Sequence, residues 1–201
     1  MKNTVLISLT LSVFILTEAC NNSGKGSVSN ADSANLAKID SGAVELDKGE
    51  SKFMVKAFNG GETEVKLGKL AQGKAKNQRV KDFASMMVDD HSSADNKLEA
   101  LADRQNVKLP DSLSEDSKDD YQTLSGKKGM DFDETYMKMM LKGHKETVDM
   151  LKKELKEVND QELKQWISKT LPTVEEHLDS AKSINKMYEN MDKNRPPQPP
   201  L

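Results

Sequence analysis

Histidine carries most of the chemistry available to this chain of 201 residues, which has three: His91, His144 and His177. Two of them fall in the same phrase. Residues 83–98 read FASMMVDDHSSADNKL and residues 136–151 read YMKMMLKGHKETVDML: an aromatic, two residues, Met-Met, an aliphatic, two residues, His, six residues, Leu. Met87 and His91 stand four apart, as do Met140 and His144, so on a helix each pair shares a face one turn apart. Imidazole suits Zn, Cu, Fe and Ni, whereas thioether sulfur is chosen chiefly by Cu(I). The chemistry these spacings suggest is metal binding, with copper or zinc as the ion.

Four helices must position these residues. The first is expected over about 48–76, with Phe53, Ala57, Phe58, Gly61, Val65, Gly68, Ala71 and Ala75 as its inner stripe and Glu64 among them. Asn77 is expected to cap its C-terminus. The second runs to about 105 on the seam Ala84, Met87, His91, Ala94, Leu98, Leu101. A connection of about 25 residues follows, far longer than a helix hairpin needs. It contains Pro110, Gly126 and Gly129 and a short polar helix near 114–124.

The third helix begins at Asp131 or Asp133, either one a capping residue, and runs to about 156. Met137, Met140, His144, Val148, Leu151 and Leu155 share its face. The fourth covers about 161–190, with Leu163, Ile167, Thr170, Val174, His177, Ala181, Ile184 and Tyr188 in a seam that Pro172 should kink. Tight links make antiparallel neighbours, and the long connection can return along the whole bundle. The expected fold is all-α: a ferritin-like four-helix bundle with one long crossover between the second and third helices.

Each histidine, and Glu64, falls near the middle of its helix on the core side. Packing such helices brings Glu64, His91, His144 and His177 to one layer, with Met87 and Met140 on the same side of it. These six are the candidate metal ligands. The alternative is a buried polar layer in which Glu64 pairs with histidines and the methionines fill core space. A di-iron carboxylate site is not expected: it needs Glu-x-x-His on two helices, and Val88, Leu141 and Val174 stand three before the histidines. No nucleophile triad, phosphate loop or paired-carboxylate cleft stands out, so the chain does not read as an enzyme.

Charged residues make up 31% of the chain, yet the net charge is only −3 and no basic patch interleaves with aromatics, which argues against nucleic acid. The single cysteine, Cys20, excludes an intramolecular disulfide. Lys2, an apolar run over 5–16 and then Thr17-Glu18-Ala19-Cys20 read as a secretory signal, too short to span a bilayer permanently. A small residue before a lone cysteine resembles a lipoprotein signal, although Thr17 and Glu18 depart from a strict lipobox. An ordinary cleaved signal with an incidental cysteine is the alternative. Asn21 gives no inner-membrane retention signal, so the expected location is the outer membrane or periplasm, with membrane attachment through lipid on Cys20. The organisation reads as signal 1–19, flexible tether 20–46 with a possible short helix near 34–39, helical domain 47–190 and Pro-rich tail 191–201.

The segments GGETEVKLGKLA, VKDFASMMVDDHSSADNKL, FDETYMKMMLKGH and LPTVEEHL, in that order, resemble the domain-of-unknown-function 4142 family of bacterial envelope proteins. The resemblance covers about residues 47–190. It implies a ferritin-like four-helix domain and an outer-membrane location, and it brings no activity with it. Gly143 departs from the family pattern, which often has Asp before the second histidine.

Overall fold

Helices form where the periodicity places them, because each long segment offers one apolar stripe to its neighbours. The computed structural model describes residues 26–193. The expected signal segment, Cys20 and the tail beyond residue 193 lie outside the described residues. The elements are α1 (Ser27–Asp40), α2 (Lys48–Lys74), α3 (Gln78–Arg104), α4 (Glu115–Ser125), α5 (Gly129–Glu157) and α6 (Gln161–Lys193), with no strand among the described residues. None of these helices is long and apolar enough to cross a membrane.

Start signals match local chemistry. Asp47 and Glu50 form a capping box on α2, and Ser114 accepts from Ser117 N at the start of α4. Asn77 caps the start of α3, accepting from Arg79 N at 2.9 Å, rather than ending the helix before it. Pro172 lies inside α6, which runs on through it.

The segment expected as a tether is partly folded, and this corrects the sequence reading. α1 lies against α2, with Ala31 and Asn35 buried. Asn35 clasps the backbone of Lys108, accepting from its N–H at 2.7 Å and donating to its carbonyl at 2.9 Å. Ser27 Oγ likewise accepts from Asp111 N. Polar contacts to the α3–α4 connection hold this helix, so its weak apolar face gave little sign of it.

The four long helices pack in a closed ring: α2 beside α3, α3 beside α6, α6 beside α5, α5 beside α2. Their core divides in two. One apolar cluster includes Met54, Leu98, Leu151 and Ile167; the other includes Ala71, Phe83, Met87, Tyr136, Met140 and Ala181. The second cluster takes the N-terminal halves of α3 and α5 with the C-terminal halves of α2 and α6. Met87 and Met140 therefore do lie at the same end. Gly68 allows α2 and α3 to approach closely, since a methyl there would come 2.9 Å from Val88 Cγ2.

Two buried carboxylates tie the helix pairs together at opposite ends. Glu50 of α2 accepts from Asn159 N at 2.7 Å and Asp160 N at 2.9 Å, in the turn between α5 and α6. Asp133 of α5 accepts from Lys76 N at 3.0 Å and Asn77 N at 2.7 Å, in the turn between α2 and α3. Asp133 was expected as a helix cap; it serves a turn 56 residues away instead. Glu50→Ala leaves three backbone donors without acceptors, counting Asp47 of the capping box, and Asp133→Ala leaves two; each should cost about 2–4 kcal/mol in urea unfolding. Because the two sites are far apart, the double variant should lose the sum. A loss below the scatter of surface substitutions would show that water replaces these carboxylates.

Candidate metal centre

Between the two apolar clusters lies a polar layer to which each long helix contributes. Glu64 comes from α2, His91 from α3, His144 from α5 and His177 from α6, and all four are buried. The three imidazoles form a nearly equilateral triangle, with ring centroids 5.5 Å (His91–His144), 5.3 Å (His91–His177) and 5.4 Å (His144–His177) apart. One nitrogen from each ring lies within 4.8 Å of the other two. Nitrogens at that limit stand about 2.8 Å from a common centre, so less than an ångström of ring movement reaches metal–nitrogen bonds of about 2.0–2.1 Å.

Hydrogen bonding sets the tautomers. His144 Nδ1 lies 2.9 Å from the carbonyl oxygen of Met140, which can only accept, so Nδ1 carries the proton and Nε2 keeps a lone pair. His177 Nε2 lies 2.9 Å from Asp90 Oδ2, so Nε2 donates and Nδ1 keeps the lone pair. Both lone-pair nitrogens, His144 Nε2 and His177 Nδ1, are buried with no hydrogen-bond partner. His91 Nε2 sits 3.1 Å from Glu64 Oε2, but off the line a ring N–H needs, so it too has no hydrogen bond. Carboxylates and carbonyls that orient imidazoles from behind are the usual supports of metal-ligating histidine.

Glu64 bridges two rings, with Oε2 facing His91 and Oε1 3.3 Å from His144 Nδ1. It borders the triangle without joining the mutually converging set, which comprises the three histidines. Met87 and Met140 are buried in the apolar cluster on one side of the layer. Burial pushes the His91 imidazole below its ordinary pKa, against an opposing pull from Glu64. Burial also lowers His177 to about 4, although its bond to Asp90 acts the other way. A neutral imidazole is the form that binds metal.

Two residues here were not singled out from sequence. Asp90 is half-exposed, whereas its partner His177 is buried; adjacency to His91 suggested that Asp90 points away, yet it reaches across to α6. Asp95, one turn after His91, is buried with Oδ2 unpartnered. Its carboxyl fills the space over Gly61, where a methyl would lie 2.1 Å from Oδ1. Burial, then the carboxylates of Glu62, Glu64 and Glu99, raise Asp95 to about 8. The i+4 spacing from His91 was the available signal. Two cavities flank the layer: one of about 250 Å³ against α2 and α5, one of about 270 Å³ between α3 and α6, and Trp166 borders both.

The sequence signature of a domain of unknown function, DUF4142, matches residues 36–184, and the chain belongs to that family. No curated protein sequence matches it significantly. Two solved structures share the fold. A DUF305 fragment from Deinococcus radiodurans aligns with a TM-score of 0.64 at 13% identity, over 71% of this chain and 98% of that one. CopM in the Cu(II)-bound form aligns with a TM-score of 0.60 at 12% identity, over 69% and 97%.

The shifted groups imply an acid-sensitive fold. His177 binds its proton less readily folded than unfolded, so between its unfolded pKa of roughly 6.5 and its folded value of about 4 the unfolded state holds more protons. Its contribution is complete above that window and is lost as pH falls through it, on the order of a few kcal/mol. Asp95 has the opposite sign: its raised pKa favours the folded state at low pH, and that contribution is lost as pH rises from its ordinary value of 3.8 to about 8. Urea unfolding of the metal-free protein should lose stability from pH 6.5 to 4 with a slope that His177→Gln reduces. Asp95→Asn should gain steadily on wild type as pH rises from about 4 to about 8. Parallel curves for all three proteins would contradict the assignment.

Proposed function

We propose that this DUF4142 protein binds a copper-class ion, Cu or Zn, through His91, His144 and His177, with Glu64 as the charge-balancing carboxylate beside them. One observation carries the reading: three buried imidazoles converge, and each has a ring nitrogen without a hydrogen-bond partner. An empty polar layer of this kind is costly, because each unpartnered buried group forgoes its hydration. A cation with three imidazole ligands removes that cost, and Glu64 offsets one unit of its charge. The fourth position falls to water or Glu64. Met87 and Met140, both sequence candidates, would add preference for Cu(I) if their sulfurs turn toward the layer. The similarity to CopM, described in its Cu(II)-bound form, supports the idea that such a fold houses copper; at that identity the ligands here must be argued from this chain.

The fold reading that accompanies this proposal is a ferritin-like four-helix bundle of α2, α3, α5 and α6, with residues 105–128 as its single crossover. The role is binding rather than catalysis, with no nucleic-acid partner. Export and attachment to the outer membrane through lipid on Cys20, or release into the periplasm, follow from the N-terminal sequence. Replacing Cys20 with Ser should move the protein from the membrane fraction to the soluble fraction of envelope preparations. Retention in the membrane would refute lipid anchoring.

A second reading has specific support. Glu64 contacts two histidines and Asp90 binds the third, so the layer could simply fix packing. Calorimetric titration with Cu(II) and Zn(II) separates the two. Metal binding predicts one ion per chain, a loss of at least roughly 100-fold in His91→Ala/His144→Ala, and metal-induced stabilisation of about 2.7 kcal/mol at 100 times the dissociation constant. The packing reading predicts equal, weak binding by both proteins and a change in stability alone.

A further inference from the structure

The histidine triangle is buried, two cavities flank it, and the charges that line them differ. The cavity against α2 and α5 is lined by Glu64, Asp95, Asp120 and Glu146 against one lysine, Lys56. The cavity between α3 and α6 offers Asp90 against Lys97 and Lys169, and Asp90 is already bonded to His177. His91 borders both. A cleft lined with one sign of charge between low-dielectric walls concentrates ions of the other sign.

The acidic cavity is also graded in depth. Asp120 and Glu146 are exposed at its mouth, whereas Asp95 and Glu64 are buried within it. Its volume of about 250 Å³ leaves room for several waters, enough for a partly hydrated ion. Asp95 matters most. It is 6% exposed, lines the cavity, and leaves Oδ2 with no partner. It stands one turn from His91 but outside the convergent set of nitrogens, so it can hold an ion in transit without being a final ligand.

Resting on the metal-binding reading, we propose that cations reach the histidine triangle through the cavity against α2 and α5, and that the Asp95 carboxylate is their relay on the way in. Asp95 is thus a positioning residue for uptake. It releases any proton it holds to water as it accepts the ion from the mouth, then passes the ion to His91 and the triangle.

The test is stopped-flow uptake of Zn(II) and Cu(II) by the full chain above pH 8, where Asp95 is ionised, delivered from a chromophoric chelator, with Asp95→Asn and Lys97→Gln beside wild type. Asp95→Asn should slow uptake about tenfold, in the range that electrostatic steering supplies, while equilibrium affinity stays within about threefold. Lys97→Gln, in the other cavity, should leave the rate unchanged. Added salt should slow wild type more than Asp95→Asn, because screening weakens a charged route. Should Asp95→Asn misfold, the salt dependence of the wild-type rate decides: a flat dependence overturns the proposal. Equal rates for Asp95→Asn and wild type would also overturn it while leaving the triangle as the metal site. A larger effect from Lys97→Gln would place the route between α3 and α6. Absence of metal binding by wild type would remove both this proposal and the reading beneath it.

Discussion

Register between the two helix pairs is the constraint on which the rest of this molecule depends. Four helices with regular seams could slide past one another by a turn, about 5.4 Å, and still bury apolar surface. Glu50 and Asp133 oppose such slippage. Each comes from one helix pair and accepts two backbone N–H groups in the turn of the other, at opposite ends of the ring. Any slide would strip acceptors from buried donors at both ends at once. With the ends held, the four mid-helix polar residues meet at one height.

That meeting is not favourable by itself. The layer separates two apolar clusters and leaves polar nitrogens without partners, which apolar residues of similar volume would not do. Tolerance of such a layer accords with the proposed metal binding, in which stability is given up for function. The supports behind the rings are selective as well. Met140 and Asp90 each fix one tautomer, so the free lone pairs of His144 and His177 are set by backbone and side chain rather than by chance.

The long helices and the layer were legible in sequence because a period near 3.6 written over more than twenty residues admits few other readings. The three histidines and Glu64 could be placed at one level from their mid-helix positions alone. α1 was legible only as a short helix near 34–39 and not over its full length, since Asn35 and Ser27 anchor it through the distant 108–112 backbone and not through an apolar face. Asp133 read as a local cap because sequence shows near neighbours, and its partners belong to another helix pair. Asp95 was passed over for a related reason. Its spacing fits the seam, but an acid at a core position makes sense only once Gly61 is seen to make room for it.

Trp166 is the sole tryptophan of the chain, and its placement has a practical side. Its indole N–H donates to the carbonyl oxygen of Ala94 at 3.1 Å, and its ring meets Phe53 edge-on at 6.2 Å, so it is held in one pose. It forms part of the wall of both cavities beside the histidine layer. The molecule therefore has a single indole fluorophore, excitable apart from its three tyrosines at the red edge of absorption, built into the surroundings of its most unusual chemistry. Emission from the whole protein is a local signal, free of averaging over other indoles and obtained without any label.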